Sequence, residues 1–329
     1  MSSRERAPGA AVRQERFAGT GEPARISSVR SAIIRMVRAR VVRTDLGDDR
    51  RSSVRVIRAA DPRLRPLLFR PLYGFEQRQA GFTSWLEPPR PAVTMIVDLE
   101  GAISVDGEPL PDAWLGGLDD RYAVVGFGGA PYASLDIELT PLGAHRILGM
   151  PLSELQGRCV ALEELFGDEG RRLTERLRAT ACWDARFDVL ERFLLARAAI
   201  GPAPTPAVQW AMRRLRQTGG QERIQTLATE VGCSRRYLTA RFTAEVGLAP
   251  KTIARQIRFA CVCARVRERP AAWARIAVEA GYCDQAHLNR DFRELAGTTP
   301  TDFLARLLPG GGVVGDGLPF VQDAAGAAA

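Results

Sequence analysis

A pattern that occurs twice in the last third of the chain constrains its fold more than any other feature. In the first copy, Ala228 precedes Gly232 by four positions, and Leu238 and Phe242 follow four positions apart. The second copy lies about 50 residues further along and keeps the same order with almost the same spacing, in Ala277, Gly281, Leu288 and Phe292. We therefore expect two copies of one short structural unit.

Each copy has the composition of two short helices joined by a tight turn. An alanine lets two helices approach closely, and a glycine lets the chain turn with a positive φ. Ser234 in the first copy and Asp284 in the second are suited to cap the start of a second helix. The leucine and the phenylalanine then share one face of that helix and hold it to the first. The sequence thus predicts two helix-turn-helix units.

The outer faces of the two second helices carry side chains that can read base pairs. With the leucine and phenylalanine facing inward, the outer face of the first unit consists of Arg235, Arg236, Thr239, Ala240 and Thr243. The outer face of the second unit consists of Gln285, Ala286, Asn289, Arg290 and Arg293. Arginine pairs with guanine through two hydrogen bonds, and glutamine or asparagine pairs with adenine in the same way. We expect these residues to bind double-stranded DNA in the major groove, with Arg236 and Arg290 making the strongest contacts.

Residues 207–308 resemble the DNA-binding domain of transcriptional regulators of the AraC/XylS type. The similarity is clearest over residues 277–292 and in the Thr-Thr-Pro-Thr-Asp-Phe sequence at 298–303. The resemblance implies a transcription factor in which one long helix, here residues 252 to about 267, joins the two helix-turn-helix units. It also implies that the units read adjacent segments of the major groove. RNA polymerase, a small-molecule effector and a second copy of the chain, as in a homodimer, remain open as further partners.

The net charge of +8 is distributed unevenly along the chain. Residues 1–70 carry +10, residues 71–206 carry −8 and residues 207–309 carry +8. Phosphate would repel the acidic middle and attract the basic C-terminal third, so charge and motif indicate the same segment for DNA binding. Lys251 is the only lysine among 46 basic residues, so the number of arginines says little and their positions matter more.

The sequence lacks recognisable residue sets for metal or catalytic chemistry. The six cysteines include no Cys-x-x-Cys pair, and His145 and His287 are the only histidines, which argues against a zinc site. The glycines at 126–129 lack the spacing of a phosphate-binding loop, and there is no Gly-x-Ser-x-Gly elbow. We predict no cofactor, no metal and no catalytic residues, and thus a protein that is not an enzyme. The alternative is an enzyme or DNA-repair protein that carries a helix-turn-helix domain, which would need a zinc–cysteine site and a reactive thiol.

The start of the chain is basic and poor in apolar residues. We predict residues 1–60 to be a disordered extension because so little apolar surface could be buried there. Within it, residues 28–43 could form a basic amphipathic helix that contacts DNA or a membrane. The alternative, which we favour, is a translated upstream extension without a role, with Met36 as one internal start.

The rest of the chain indicates an α+β protein. Apolar or alternating runs predict strands at 90–98, 101–107, 122–127 and 132–139, and helical spacing follows at 142–148, 170–179 and 185–199. Three prolines predict a linker at 201–206. We therefore expect a β-rich, barrel-like domain with helices at 61–200 and an all-α DNA-binding domain at 207–309. A disordered tail is expected at 310–329.

Aromatic residues in the β-rich region suggest a site for a small molecule. Trp85, Trp114, Tyr122, Phe127 and Tyr132 either line an apolar pocket or form ordinary core. The layout of the chain is loosely similar to that of AraC/XylS-type regulators, which implies that residues 61–200 sense a ligand or pair two chains. No apolar run is long enough to span a bilayer and no signal peptide is recognisable, so we expect a cytoplasmic protein that does not contact a membrane.

Overall fold

The computed structural model describes residues 39–45, 52–77, 84–128, 131–268, 273–305 and 313–314. Its strands are β1 (Ala39–Asp45), β2 (Ser52–Arg58), β3 (Leu72–Gln77), β4 (Ser84–Glu87), β5 (Val93–Glu100), β6 (Ile103–Val105), β7 (Glu108–Pro109), β8 (Ala113–Gly116), β9 (Ala123–Phe127), β10 (Tyr132–Leu139), β11 (Cys159–Ala161) and β12 (Val313–Val314). They form a seven-stranded sheet in the order β1-β2-β3-β10-β5-β8-β11 and a five-stranded sheet in the order β12-β4-β9-β6-β7. The predicted β-rich domain is confirmed, as two sheets rather than one closed barrel.

The helices follow the sheets along the chain. They are α1 (Pro141–Leu148), α2 (Leu162–Phe166), α3 (Asp168–Ala179), α4 (Trp183–Ile200), α5 (Pro206–Gln217), α6 (Ile224–Glu230), α7 (Arg235–Val246), α8 (Pro250–Glu268), α9 (Trp273–Glu279), α10 (Gln285–Ala296) and α11 (Pro300–Ala305). The pairs α6–α7 and α9–α10 are the two predicted helix-turn-helix units, and α8 is the predicted long helix between them. The α+β fold class is therefore confirmed.

The central strand β10 shows how the β-rich domain is layered. It is buried along its whole length between β3 and β5. Leu135 and Ile137 belong to the apolar core that also contains side chains of α1 and α4, whereas Ser134 and Asp136 line a cavity between the two sheets. Because successive side chains of a strand point to opposite faces, one strand contributes to both the core and the cavity.

The folded part of the chain begins earlier than predicted. β1 pairs with β2, and β2 pairs with β3, so the assignment of residues 1–60 to a disordered extension is wrong for these strands. Residues 39–43 of the predicted amphipathic helix are extended, and residues 1–38 lie outside the described residues. Valine and arginine alternate in β2 with the period of a strand. This strand was not predicted because its arginines make the segment poor in apolar residues. Arg58 is nearly fully buried and donates to Asp188 and Glu191 of α4, both at 2.6 Å.

The end of the chain also differs from the prediction. Val313 and Val314 form β12, which pairs with Leu86 and Trp85 of β4. The expectation of a disordered tail at 310–329 is thus wrong at these two residues, and its other residues lie outside the described ones. β4 would otherwise form an edge of its sheet, and two β-branched residues can satisfy such an edge through backbone hydrogen bonds.

Residues 201–205 of the predicted linker lie between α4, which ends at Ile200, and α5, which begins at Pro206. Residues before and after this segment nevertheless pack against each other. One cluster of buried apolar side chains runs from Val56 in β2 to Ile257 in α8. Thr205 in the linker donates its backbone N–H to Glu245 of α7 at 2.8 Å. The β-rich domain and the first helix-turn-helix unit therefore share a core. None of the described helices has the length and apolar character to cross a membrane.

Candidate nucleic-acid interface

The first helix-turn-helix unit is built as its sequence predicts. Ala228 is fully buried where α6 meets α7, and Gly232 adopts a φ of 69° in the turn. The hydroxyl of Ser234 accepts a hydrogen bond from the backbone N–H of Tyr237 at 3.1 Å and so caps α7. Leu238 and Phe242 are fully buried, which fixes the rotation of α7 about its axis.

The second unit repeats this construction. Ala277 is fully buried, and Gly281 adopts a φ of 82°. The carboxylate of Asp284 accepts from the backbone N–H of His287 at 2.7 Å, which caps α10. Leu288 and Phe292 are fully buried, and the Phe292 ring lies 4.8 Å from that of Phe259 in α8. A carboxylate is a good cap because it also interacts favourably with the positive end of the helix dipole.

The burial of the two helices orients the predicted contact residues outward. Arg235, Arg236 and Ala240 are exposed on α7, and Gln285, Ala286, Arg290 and Arg293 are exposed on α10. The three remaining predicted residues, Thr239, Thr243 and Asn289, are half-buried. Thr243 donates its hydroxyl to the carbonyl of Thr239 within α7, at 2.9 Å. Each helix thus presents its arginines, and α10 also presents an amide side chain, on a face that the core leaves open.

Two other arginines near these helices have structural partners. Arg241 of α7 pairs with the buried Glu245 at 2.9 Å. Arg255 of α8 donates its Nε to Asp291 of α10 at 2.9 Å and also pairs with Glu294. The ion pairs of Arg255 hold α8 against α10, and they leave Arg255 less free to contact a phosphate than the outward-facing arginines.

A groove beside α10 adds residues that the sequence did not point to. It is lined by the first turn of α8, with Lys251 and Thr252, and by His287 and Arg290 of α10. Asp120, from the loop between β8 and β9, lines it from the other side. Lys251 is exposed, and a lysine at this place can contact a phosphate. On α7, sequence reasoning also missed Tyr237, which is 53% exposed. Its helical position, one residue after Arg236, was the available signal.

A second candidate site is a cavity of about 240 Å³ between the two sheets. All five aromatic residues named from the sequence line it, together with Phe75. The Trp85 and Phe127 rings meet edge to face at 4.9 Å, and the Phe127 and Tyr132 rings meet at 5.0 Å. Tyr122 lines the cavity but is also part of the apolar cluster of the second helix-turn-helix unit.

Charged groups line another part of the same cavity. Arg70 and Arg90 both pair with the buried Glu138, Arg90 at 2.8 Å. Asp136 accepts from the hydroxyl of Ser134 at 2.6 Å, and burial raises the pKa of Asp136 above its ordinary value. Burial likewise lowers the pKa of Arg70. The cavity is therefore amphiphilic, with an aromatic surface and a charged surface.

The described residues contain no group of three or more His, Cys, Asp or Glu side chains that could hold a metal ion. All six cysteines are free; Cys159, Cys182 and Cys283 are exposed, and the others are half-buried.

Comparison with known families supports the assignment of the C-terminal part. Residues 227–306 match the model of a family described as "Helix-turn-helix domain". The matched range begins within α6 and ends one residue after α11, so it includes the end of α6, all of α7, the joining helix and the second unit. No curated protein matches the sequence.

Several solved structures are similar at low sequence identity. ToxT from Vibrio cholerae is 9% identical, with a TM-score of 0.44 over 71% of this chain and 98% of that chain. ToxT from Vibrio cholerae O395 bound to (E)-4-(8-methylnaphthalen-1-yl)but-3-enoic acid is 10% identical, with a TM-score of 0.43 over the same shares. The AraC-like transcriptional activator CuxR is 12% identical, with a TM-score of 0.21 over 66% of this chain and 79% of that chain.

The matched residues, the two capped helix pairs and the long helix between them agree with the resemblance found in the sequence. Residues 227–306 thus match a helix-turn-helix domain, which the structure builds from two capped units joined by the long helix α8.

Proposed function

We propose that the protein is a sequence-specific DNA-binding transcriptional regulator without catalytic activity. The observation that carries the proposal is the duplicated second helix, capped at its start and buried on one face, with arginines exposed on the other. In this proposal α7 reads one segment of the major groove through Arg235 and Arg236. α10 reads the adjacent segment through Gln285 and Arg290, and the half-buried Thr239, Thr243 and Asn289 make shorter-range contacts.

Selection of bound duplexes from random DNA tests this function directly. We expect enrichment of a site without inversion symmetry, because the two units of one chain are not related by a two-fold axis. Affinity for the enriched duplex should fall steeply with salt, as expected when several arginines and Lys251 displace counterions from phosphates. Failure to enrich any sequence, with equal affinity for unrelated duplexes, would contradict a sequence-specific regulator.

We further propose that a small molecule in the cavity between the sheets modulates DNA binding. The aromatic surface around Trp85 and Phe127 suits an apolar or aromatic body, and the charged surface around Arg70 suits a polar end. Thermal unfolding of the full chain against a panel of aromatic compounds tests this proposal. A compound that binds should raise the melting temperature of wild type but not of Thr94→Trp, whose larger side chain would occupy part of the cavity. An equal rise in both proteins would place binding elsewhere.

A further inference from the structure

Strands β4 and β9 of the five-stranded sheet form a wall between the cavity and the second helix-turn-helix unit. β4 and β9 are antiparallel, with Trp85 opposite Val125 and Leu86 opposite Val124. Trp85 and Val125 line the cavity. Leu86 and Val124, on the opposite face, belong to the apolar cluster of the second helix-turn-helix unit. Because side chains alternate along a strand, the inner face of this wall cannot move without moving the outer face.

The outer face of the wall packs against the second unit. Leu86 is fully buried, although it comes from an outer strand of the β-rich domain. Its cluster contains Phe259 and Val262 of α8 together with the core residues of α9 and α10. The second unit is therefore docked on the wall through its own hydrophobic core.

The loop at residues 117–122, which leads into β9, also links the cavity to α8, in this case through a hydrogen bond. Leu118, Asp119 and Tyr122 line the cavity. The carbonyl of Asp119 accepts a hydrogen bond of 2.6 Å from the side-chain amide of Gln256 in α8, and Gln256 is fully buried. The carboxylate of Asp119 accepts from the backbone N–H of the next two residues, at 2.6 and 3.1 Å, which fixes the turn.

The position of loop 117–122 affects the candidate DNA surface because Asp120 follows Asp119 in this loop. Asp120 lines the groove that also contains Lys251 and Arg290. A carboxylate at that place disfavours a phosphate nearby, so any shift of the loop changes the electrostatic potential along the candidate DNA surface.

We propose that the wall of β4, β9 and loop 117–122 couples occupancy of the cavity to the docking of the second helix-turn-helix unit. The proposal rests on the proposed function of the cavity and adds the route by which an apolar or aromatic occupant acts. A molecule that displaces Trp85 or Val125 outward strains the packing of Leu86 and Val124 and loosens the second unit. The first unit is disturbed less, because its buried residues belong to another cluster that contains no residue of β4 or β9.

The test uses the full chain and replaces the unidentified ligand by a side chain. Thr94 lies on β5, in the sheet opposite the wall, and lines the cavity, so Thr94→Trp fills it from that side. Amide hydrogen exchange is then compared between residues 273–305 and residues 224–246. We expect exchange to become at least about fivefold faster in residues 273–305, which is the lower end of ordinary coupling between sites, and to change by less in residues 224–246.

Two valine variants provide the matched controls. Val124→Ala weakens the outer face of the wall, and we expect it to speed exchange in residues 273–305 and to abolish the further effect of Thr94→Trp. Val105→Ala removes the same atoms from β6, where Val105 lines the cavity but is not part of the second unit's cluster, and the effect of Thr94→Trp should persist. Ile96→Trp is a second filling variant on β5 if Thr94→Trp fails to fold.

Equal changes in both units, slower exchange or no change in residues 273–305 would overturn the proposed coupling. So would an effect of Thr94→Trp that Val124→Ala leaves intact. Exchange is measured without DNA, so this outcome is independent of whether the protein proves to be a DNA-binding regulator.

Discussion

Individual arginines carry the proposed recognition. Arg236 on α7 and Arg290 on α10 are exposed, on helices whose opposite faces are fully buried. If each pairs with a guanine, replacement by alanine should cost about 1–3 kcal/mol of binding free energy and relax the preference at one or two base pairs. Binding of the selected duplex and its single-base variants, measured by fluorescence anisotropy, checks this. Wild-type affinity and base preference in both variants would refute the assignment.

A buried carboxyl group in the β-rich domain gives a prediction about pH. Asp98 is nearly fully buried and accepts a hydrogen bond from the hydroxyl of Tyr132 at 2.7 Å. Burial raises the pKa of Asp98 to about 7. The charge of Asp136 also raises this pKa, and the hydrogen bond from Tyr132 lowers it. In the unfolded chain the pKa is roughly 4, so the folded state binds the proton more tightly and stability falls as the pH rises between these values.

Asp98→Asn removes this titration. The stability of the variant relative to wild type should therefore increase by about 4 kcal/mol between about pH 4 and pH 8, since the shift is about three pKa units and each unit corresponds to about 1.4 kcal/mol. Urea unfolding across this pH range measures the stability difference, and Asp120→Asn, which changes an exposed residue, is the control. Parallel stability profiles for wild type and Asp98→Asn would show that Asp98 does not titrate as argued.

At the scale of the helix, the caps are the local signals that made the two units predictable. Ser234→Ala and Asp284→Ala each remove one bond to the start of a helix and should lower the free energy of unfolding by about 1 kcal/mol. Asp284→Asn keeps an acceptor at the same place and should lose less. Chemical denaturation compares the three variants, and equal losses in both Asp284 variants would show that the cap bond is not the cause.

What could be predicted from the sequence follows from how local each signal is. The caps, the turn glycines and the apolar spacing of α7 and α10 all act within about a dozen residues, so these helices and their outer faces were predictable. The Asp-Gly turn after β6 is equally local, and Asp106 and Gly107 both have a positive φ. β1, β2 and β12 were missed because their partners lie in distant or arginine-rich sequence. Pairing between strands depends on register and neighbours rather than on composition.

In the whole molecule, the two domains predicted from the sequence pack against each other. Charge and the prolines indicated two domains, yet buried side chains of the β-rich domain continue into both helix-turn-helix units. The groove that joins Lys251 to Arg290, and the wall that joins the cavity to α8, arise only where distant segments meet. No local pattern marks such places, and they are the parts of the candidate sites that could not be predicted.

Footprinting of the selected duplex tests the central claim most directly, namely that α7 and α10 read adjacent segments of the major groove. We predict two protected segments on one face of the DNA, about one helical turn or roughly 34 Å apart. Arg236→Ala should weaken protection of one segment and Arg290→Ala that of the other. A single protected segment, or two variants that weaken the same segment, would contradict the account.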